Sequence, residues 1–469
     1  MAAVLVDRRS RSASAVSWVL LCLIAPFLGP AVYWVFGRPW LSNRRARSYV
    51  VIEDARLESR RREEAKGDAG LRRSTRDAVF ARLSRDQRHI ATQAASISHD
   101  FPLGGNRIEL FAEAADLFAR MAADIDAAVR HVHIEFYIVL DDETSRQVFE
   151  ALERTARRGI PCRLLVDGIG SRIFLKGRRC EELRAAGVTV VESLPVNLLR
   201  RRLSRIDLRN HRKIVVVDGA VGYIGSHNLA SRDFKVKEKY APWIDATMRV
   251  VGPVANDLQK IFVEDWYLDT DENLTTAVAQ GVHDHASPAI AQVLGTGPAT
   301  YESAMPQMVL SLVHAAEEEV VLTTPYFVPD EPALAALLTA ARRGVRTVLI
   351  LPARNDSVLV ELASRKYFQR LLEAGVELWQ YHGGLLHSKT IVVDRQTCLM
   401  TSANLDRRSF ELNLEVSMVV YDEAVSVELR RLQDDYLARS TRIDPRDWWN
   451  RPAWKRLVEN GIGLLSPIL

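Results

Sequence analysis

The sequence of 469 residues is short of cysteine, of lysine and of net charge. Four cysteines, Cys22, Cys162, Cys180 and Cys398, are scattered with no CxxC pair. That spacing excludes a zinc framework and a disulfide-stapled scaffold, and leaves reduced thiols as the expectation. Lys+Arg 63 against Asp+Glu 59 leaves +4, too small a balance to argue for a polyanionic partner, so only local basic runs can carry such an argument. Long uncharged runs are also scarce, and one stands alone near the amino terminus. With 48% hydrophobic and 26% charged residues, the chain is globular in composition and long enough for two or three domains, which excludes disorder.

From Ala15 to Phe36 no side chain is charged, a length that can cross a bilayer core. It exceeds the apolar region of a signal peptide, and no small-residue cleavage site follows, so residues 1–40 read as an uncleaved membrane anchor. Pro26, Gly29 and Pro30 bend it, so a hairpin or re-entrant segment competes with a simple span. Trp18, Tyr33, Trp34 and Trp40 suit the interfaces, and Arg38, Arg44, Arg45 and Arg47 after the run outweigh Arg8, Arg9 and Arg11, offset by Asp7, before it. The positive-inside bias therefore places the bulk of the chain in the cytoplasm. Residues 41–100, rich in Arg and Glu from Arg56 to Arg76, read as a charged helical linker.

A helix, strand, helix, strand pattern occurs twice. In the first copy it covers Leu117–Val129, His131–Ile138, Ser145–Arg158 and Pro161–Val166. In the second it covers Met308–Ala316, Val320–Thr324, Pro332–Arg343 and Val345–Leu351. Even the helix stops agree, Arg157-Arg158-Gly159 and Arg342-Arg343-Gly344, with glycine where a helix ends. The fold class is α/β, with two pseudo-symmetric lobes at 101–270 and 301–469, each a mixed sheet flanked by helices. Residues 271–300, polar and rich in small side chains, read as the connector.

Each copy carries His-x-Lys-x4-Asp, as His211, Lys213 and Asp218 and as His387, Lys389 and Asp394. Lysine supplies only 10 of the 63 basic residues, so one match by chance is expected roughly 0.01 times. Residues two apart on a strand share a face, which projects each His and Lys together. Asp218 and Asp394, which complete the two catalytic motifs, stand at strand ends, where carboxylates stabilise turns. Asn228 and Asn404 lie 17 residues after each His, behind Ser226 and Ser402, and return beside the motif as candidate phosphate ligands. Lys charge and Asn or Ser donors suit a phosphodiester anion, with one imidazole attacking phosphorus and the other moving protons. Each His needs an orienting carboxylate; Asp245 and Glu415, 34 and 28 residues after His211 and His387, are the candidates in their own halves.

These residues resemble the phospholipase D superfamily, whose two HxKxxxxD motifs form one active site. Wider wording is similar to the bacterial cardiolipin synthases: Ile134-Glu135-Phe136-Tyr137, Asn210-His211-Arg212-Lys213, Thr324-Pro325-Tyr326-Phe327 and Ser402-Ala403-Asn404-Leu405-Asp406. The resemblance implies phosphatidyl transfer between two phosphatidylglycerol molecules in a bacterial cell membrane. Cardiolipin and glycerol would form through a phosphohistidine, with His211 attacking and without a metal or cofactor. Hydrolytic phospholipase D, or another phosphatidyltransferase of the superfamily, is the alternative; the anchor argues against a nucleic-acid substrate.

Other features carry less. Leu198–Arg209 is basic with interleaved apolar residues and fits either an element on anionic headgroups or a solvated helix. Tyr326 and Phe327 fit a lipid channel or the core, and Trp448, Trp449 and Trp454 an interfacial tail or packing. His283-Asp284-His285 lies in the expected connector with no third ligand, so no metal site is expected there.

Overall fold

The computed structural model describes residues 12–33, 45, 47–52, 54, 68–195, 208–274, 288–298 and 303–463. The strands of the first half are β1 Leu103–Phe111, β2 Val132–Phe136, β3 Cys162–Asp167, β4 Thr189–Ser193, β5 Ile214–Val217, β6 Val221–Gly225, β7 Trp243–Ile244 and β8 Thr247–Val251. Those of the second are β9 Ala289–Thr296, β10 Glu319–Thr323, β11 Phe327–Val328, β12 Arg346–Pro352, β13 Glu377–Tyr381, β14 Leu385–Leu386, β15 Thr390–Val393, β16 Thr397–Thr401, β17 Leu405–Asp406, β18 Glu415–Val420 and β19 Ser440–Arg442.

Fifteen of them form one mixed sheet, and outward from its centre the two sides have the same plan. One side runs β1-β8-β6-β5-β2-β3-β4, the other β9-β18-β16-β15-β10-β12-β13, with β19 added at its edge. β1 and β9 pair antiparallel at the centre, as a twofold relation requires. The outer strands β2-β3-β4 and β10-β12-β13 are parallel, connected by helices, the arrangement that right-handed crossovers impose.

Local sequence explains the crossover helices. Asp142 caps Glu143–Arg157 in a reciprocal box with Ser145, and Asp330 caps Glu331–Arg342, which carries proline in its first turn. Both helices run into glycines at positive φ, Gly159 at 82° and Gly344 at 90°, as their shared wording requires. Leu117, Phe118, Met121 and Ile125 of Ala114–Asp126 pack with Val148, Phe149 and Leu152, and each such fully buried side chain contributes roughly 1.5–3 kcal/mol.

Two expectations are corrected, and a third point, left between two forms, takes one of them. The stretch 271–300 contains β9, a buried strand at the centre of the sheet. The stretch 41–100 ends in the helix Arg85–Ser98, which Ser84 and Gln87 cap. Its Ile90, Ala91, Ala94 and Ile97 enter the core of the second lobe beside Met305, Met308 and Leu312. At the amino terminus no helix among the described residues is long and apolar enough to cross a membrane. The helix Ser12–Ile24 breaks before Pro26 and the chain folds back as Leu28–Val32. Gly29 sits so close to the first helix that an added Cβ would lie 2.6 Å from the Leu21 carbonyl, and Trp18 meets Tyr33 edge-on at 5.3 Å. This is the hairpin form, and Leu20, Leu23, Ile24, Phe27 and Leu28 stay exposed on it.

Phe327 is a core residue. Trp448 is buried against Phe368, with Arg451 over its ring, whereas Trp449 and Trp454 are exposed. Most of Leu198–Arg209 and all of His283-Asp284-His285 lie outside the described residues.

Candidate active site

The site forms where each lobe reaches into the other. Asn210, just before the first motif, bridges in parallel to Leu414, and the His211 N–H donates to the Leu414 carbonyl at 2.9 Å. Correspondingly, β14 pairs in parallel with β7, and the His387 N–H donates to the Ile244 carbonyl at 2.7 Å. Each histidine therefore sits beside the carboxylate that follows its partner strand. His211 Nδ1 lies 3.0 Å from Glu415 Oε2 and 3.1 Å from Oε1, and His387 Nδ1 lies 2.6 Å from Asp245 Oδ1. Both candidate acids contact a motif histidine, but each contacts the one in the other lobe. Sequence spacing assigned each acid to its own half because it does not register a strand that pairs across the interface.

Both pairs consist of an ionised carboxylate and a neutral imidazole. Burial opposes ionisation of Glu415, but His211, Lys213 and the Ser402 hydroxyl outweigh it and hold the group at about 2. Burial likewise opposes ionisation of Asp245, which His387 nonetheless keeps below the usual carboxylate range. Burial lowers His211 to about 4 against the pull of Glu415, and lowers His387 to about 4 with Lys389 adding to the effect. With each Nδ1–H donated to a carboxylate, each Nε2 keeps its lone pair for chemistry.

The lysines complete the ring. Nζ of Lys213 donates to the His211 carbonyl at 2.5 Å and Nζ of Lys389 to the His387 carbonyl at 2.6 Å. Burial brings Lys213 down to about 8; burial, with repulsion from Lys213 in addition, brings Lys389 to about 7. Each lysine also depresses the histidine of the opposite motif, as expected of two motifs that face one site. A bound phosphodiester anion would favour the charged forms again.

The remaining candidates divide. Asn228 accepts from the Ile138 N–H at 3.2 Å, while Asn404 Oδ1 is buried without a hydrogen-bond partner among the described residues. Ser226 and Ser402 are committed elsewhere: Ser226 donates to the Ala246 carbonyl at 3.3 Å and accepts from its N–H at 3.1 Å, and Ser402 donates to Glu415. They brace the carboxylate-bearing strands rather than face a phosphate. Asp218 and Asp394 lie at the far ends of their strands from the histidines. Asp218 accepts from the N–H groups of Val129, Arg130 and His131, and Asp394 from those of Glu317, Glu318 and Glu319. The motif aspartates thus staple each turn to the neighbouring strand, and they stand outside the reacting constellation.

Several partners were not legible beforehand. Tyr137 packs edge-on against His211 at 4.9 Å and under Lys213, and Trp243 covers His387 at 4.6 Å. Arg212, between the motif His and Lys, points the other way: it pairs with Asp265 and donates to the carbonyls of Glu415 at 3.0 Å and Thr296 at 3.1 Å. Behind it Asn210 donates to Glu135, whose burial pushes it well above the usual carboxylate range. The alternation His, Arg, Lys in the extended segment leading into β5 was the available signal, since the middle residue of an extended triplet faces the opposite side.

The fold is a duplicated α/β arrangement in which two His–carboxylate pairs and two buried lysines are formed across the lobes. A family model described as cardiolipin synthase, PLD-like domain matches residues 121–266 and 309–435, and one described as phospholipase D-nuclease N-terminal matches residues 1–38. Cardiolipin synthase A of Yersinia pseudotuberculosis serotype O:1b (strain IP 31758) is 37% identical, covering 98% of this chain and 94% of its own length. That of Yersinia pestis gives the same figures, 37%, 98% and 94%. Among solved structures, phosphatidylserine synthase of Haemophilus influenzae Rd KW20 superposes with a TM-score of 0.57 at 15% identity, over 77% of this chain and 93% of that one, a likeness of fold. The chain belongs to the cardiolipin synthase family of phospholipase D-like phosphatidyltransferases, which makes it a membrane-associated bacterial enzyme.

Proposed function

We propose that the chain transfers the phosphatidyl group of one phosphatidylglycerol to a glycerol hydroxyl of a second, forming cardiolipin and releasing glycerol. Nε2 of His211 attacks phosphorus, and the bond from phosphorus to the headgroup oxygen breaks as His387, which takes up a proton at Nε2 when the phosphodiester anion binds, delivers that proton to the departing alkoxide. In the second half His387 takes the proton of the acceptor hydroxyl, whose oxygen displaces His211. Lys213, Lys389 and the amides of Asn228 and Asn404 hold the non-bridging oxygens.

The observation that supports this reading is that each histidine is braced by the other lobe's acid and depressed by the other motif's lysine. The carboxylates support the division of labour. Glu415 spreads its charge over His211, Ser402 and Asn413, whereas Asp245 has His387 as its side-chain donor. The undivided carboxylate stabilises an imidazolium better, which suits His387 to acid–base work and leaves His211 as nucleophile. The arginines after the amino-terminal apolar run support lobes on the cytoplasmic side.

The test is lipid mass spectrometry of a host lacking its own synthase and expressing this chain. Cardiolipin appearing with release of glycerol is the expected result. Phosphatidic acid as sole product would instead assign hydrolysis.

A further inference from the structure

The two lobes carry matching loops at the edge of the site. After β3 the chain passes through Ile169 and Ile173, after β12 through Val358 and Leu359, and these are 44%, 66%, 62% and 48% exposed. Each loop is tied to the segment leaving the motif's neighbouring strand. The Ser171 hydroxyl donates to the carbonyl of Tyr137, the residue against His211, at 2.9 Å, and Asn355 Nδ2 donates to the Pro325 carbonyl at 2.7 Å. A third segment, Lys235–Tyr240, carries Val236, 54% exposed. The Lys237–Asp356 ion pair and the bond from Arg354 to the Lys239 carbonyl at 3.1 Å pin it to the second loop.

Single exposed aliphatics are ordinary, but these five lie on three segments around one centre. The charges among them are unequal. Arg172, Lys176, Lys239 and Arg354 are exposed cations, against the exposed carboxylates of Asp233 and Glu238; Asp356 is taken up by Lys237 and Tyr326.

We propose that this rim docks on an anionic bilayer, its aliphatic side chains entering the headgroup boundary and its cations meeting lipid phosphates, so that a lipid reaches the histidines without crossing water. The proposal rests on the lipid-transfer reading for its substrate, but its observation, the exposed rim, is separate. The test uses the full chain carrying Ile173→Asp with Val358→Asp. Turnover of phosphatidylglycerol in vesicles is expected to fall about tenfold or more, with turnover of a short-chain phosphatidylglycerol dispersed as monomers within about twofold of the parent. Equal loss on both substrates, or no loss on vesicles, overturns the proposal.

A second readout does not depend on catalysis. Cys22, Cys162, Cys180 and Cys398 are buried, so Ile173→Cys can carry an environment-sensitive dye selectively. Its emission is expected to shift to the blue in nanodiscs containing phosphatidylglycerol relative to nanodiscs of zwitterionic lipid. Unchanged emission, or a shift that follows protein concentration instead of lipid composition and so assigns the rim to a second copy, overturns the docking surface. A parent enzyme that makes no cardiolipin from either substrate sinks the functional reading alone, because the dye still reports on docking.

Discussion

The first lobe lends its partner's histidine an aspartate, Asp245, with one side-chain donor; the second lends a glutamate, Glu415, that also holds Ser402 and Asn413. The structurally matched serines differ too, since among the described residues Ser226 reaches only backbone. His227, bonded to Thr247 at 3.0 Å and lining a cleft with Asp245, stands where the second copy has Ala403. Fifteen strands keep the duplication almost intact, so the departures gather around the two carboxylates.

The strongest way to break the comparison is at the histidines. His211→Ala and His387→Ala are each expected to lower transfer about 10³-fold or more, because the first leaves no nucleophile and the second no base to activate the acceptor hydroxyl. Brief exposure to labelled phosphatidylglycerol separates them: His387→Ala retains label on the protein and His211→Ala does not. Label trapped on the His211→Ala protein would exchange the assigned roles.

Next come the crossed carboxylates. Glu415→Gln is expected to slow formation of the covalent intermediate and Asp245→Asn its resolution, each about 10²- to 10⁴-fold. Single-turnover kinetics resolve the two phases. Effects in the reverse sense would restore the within-lobe pairing.

The pH dependence sharpens the same picture. As pH falls through about 4 the imidazoles are protonated and His211 loses its lone pair. As pH rises through about 7 to 8, Lys389 and then Lys213 lose their charge. The profile of kcat/KM is therefore expected to be bell-shaped, its alkaline limb set by the lysines of the free enzyme. An alkaline limb above pH 10 would refute the lysine assignment.

The smallest effect on chemistry belongs to the motif aspartates. Asp218→Ala and Asp394→Ala each leave three backbone N–H groups without their acceptor, and are expected to cost about 1–3 kcal/mol of stability. Thermal unfolding should show similar losses in the two lobes, with the rate per folded molecule changing less than about twofold. A large loss of rate without loss of stability would move these residues into the mechanism.

Much of this was legible because duplication writes the same residues twice. The repeated His, Lys and Asn, the crossover helices and their glycine stops all follow from spacing and local propensity. β9 was read as connector because Ala-Ile-Ala-Gln-Val-Leu-Gly-Thr is rich in small residues and poor in the polar alternation that marks a half-exposed strand, being buried on both faces. The apolar stripe of Arg85–Ser98 was masked by the charges around it. The exchange of Asp245 and Glu415 was out of reach in principle, because it depends on β7 and β14 meeting across lobes, and pairing between distant segments leaves no trace in local periodicity. Arg212 is the intermediate case: its side of the strand was legible, but Asp265 and the carbonyls it meets were not.

The crossed braces bear on ancestry. A single-lobe forebear with this geometry would have had to meet a twin face to face, each lending its acid to the other's histidine, and joining two such genes end to end would have made that meeting permanent. Once fused, either half could drift without its sibling drifting in step, and the aspartate–glutamate mismatch at Asp245 and Glu415 records that independence.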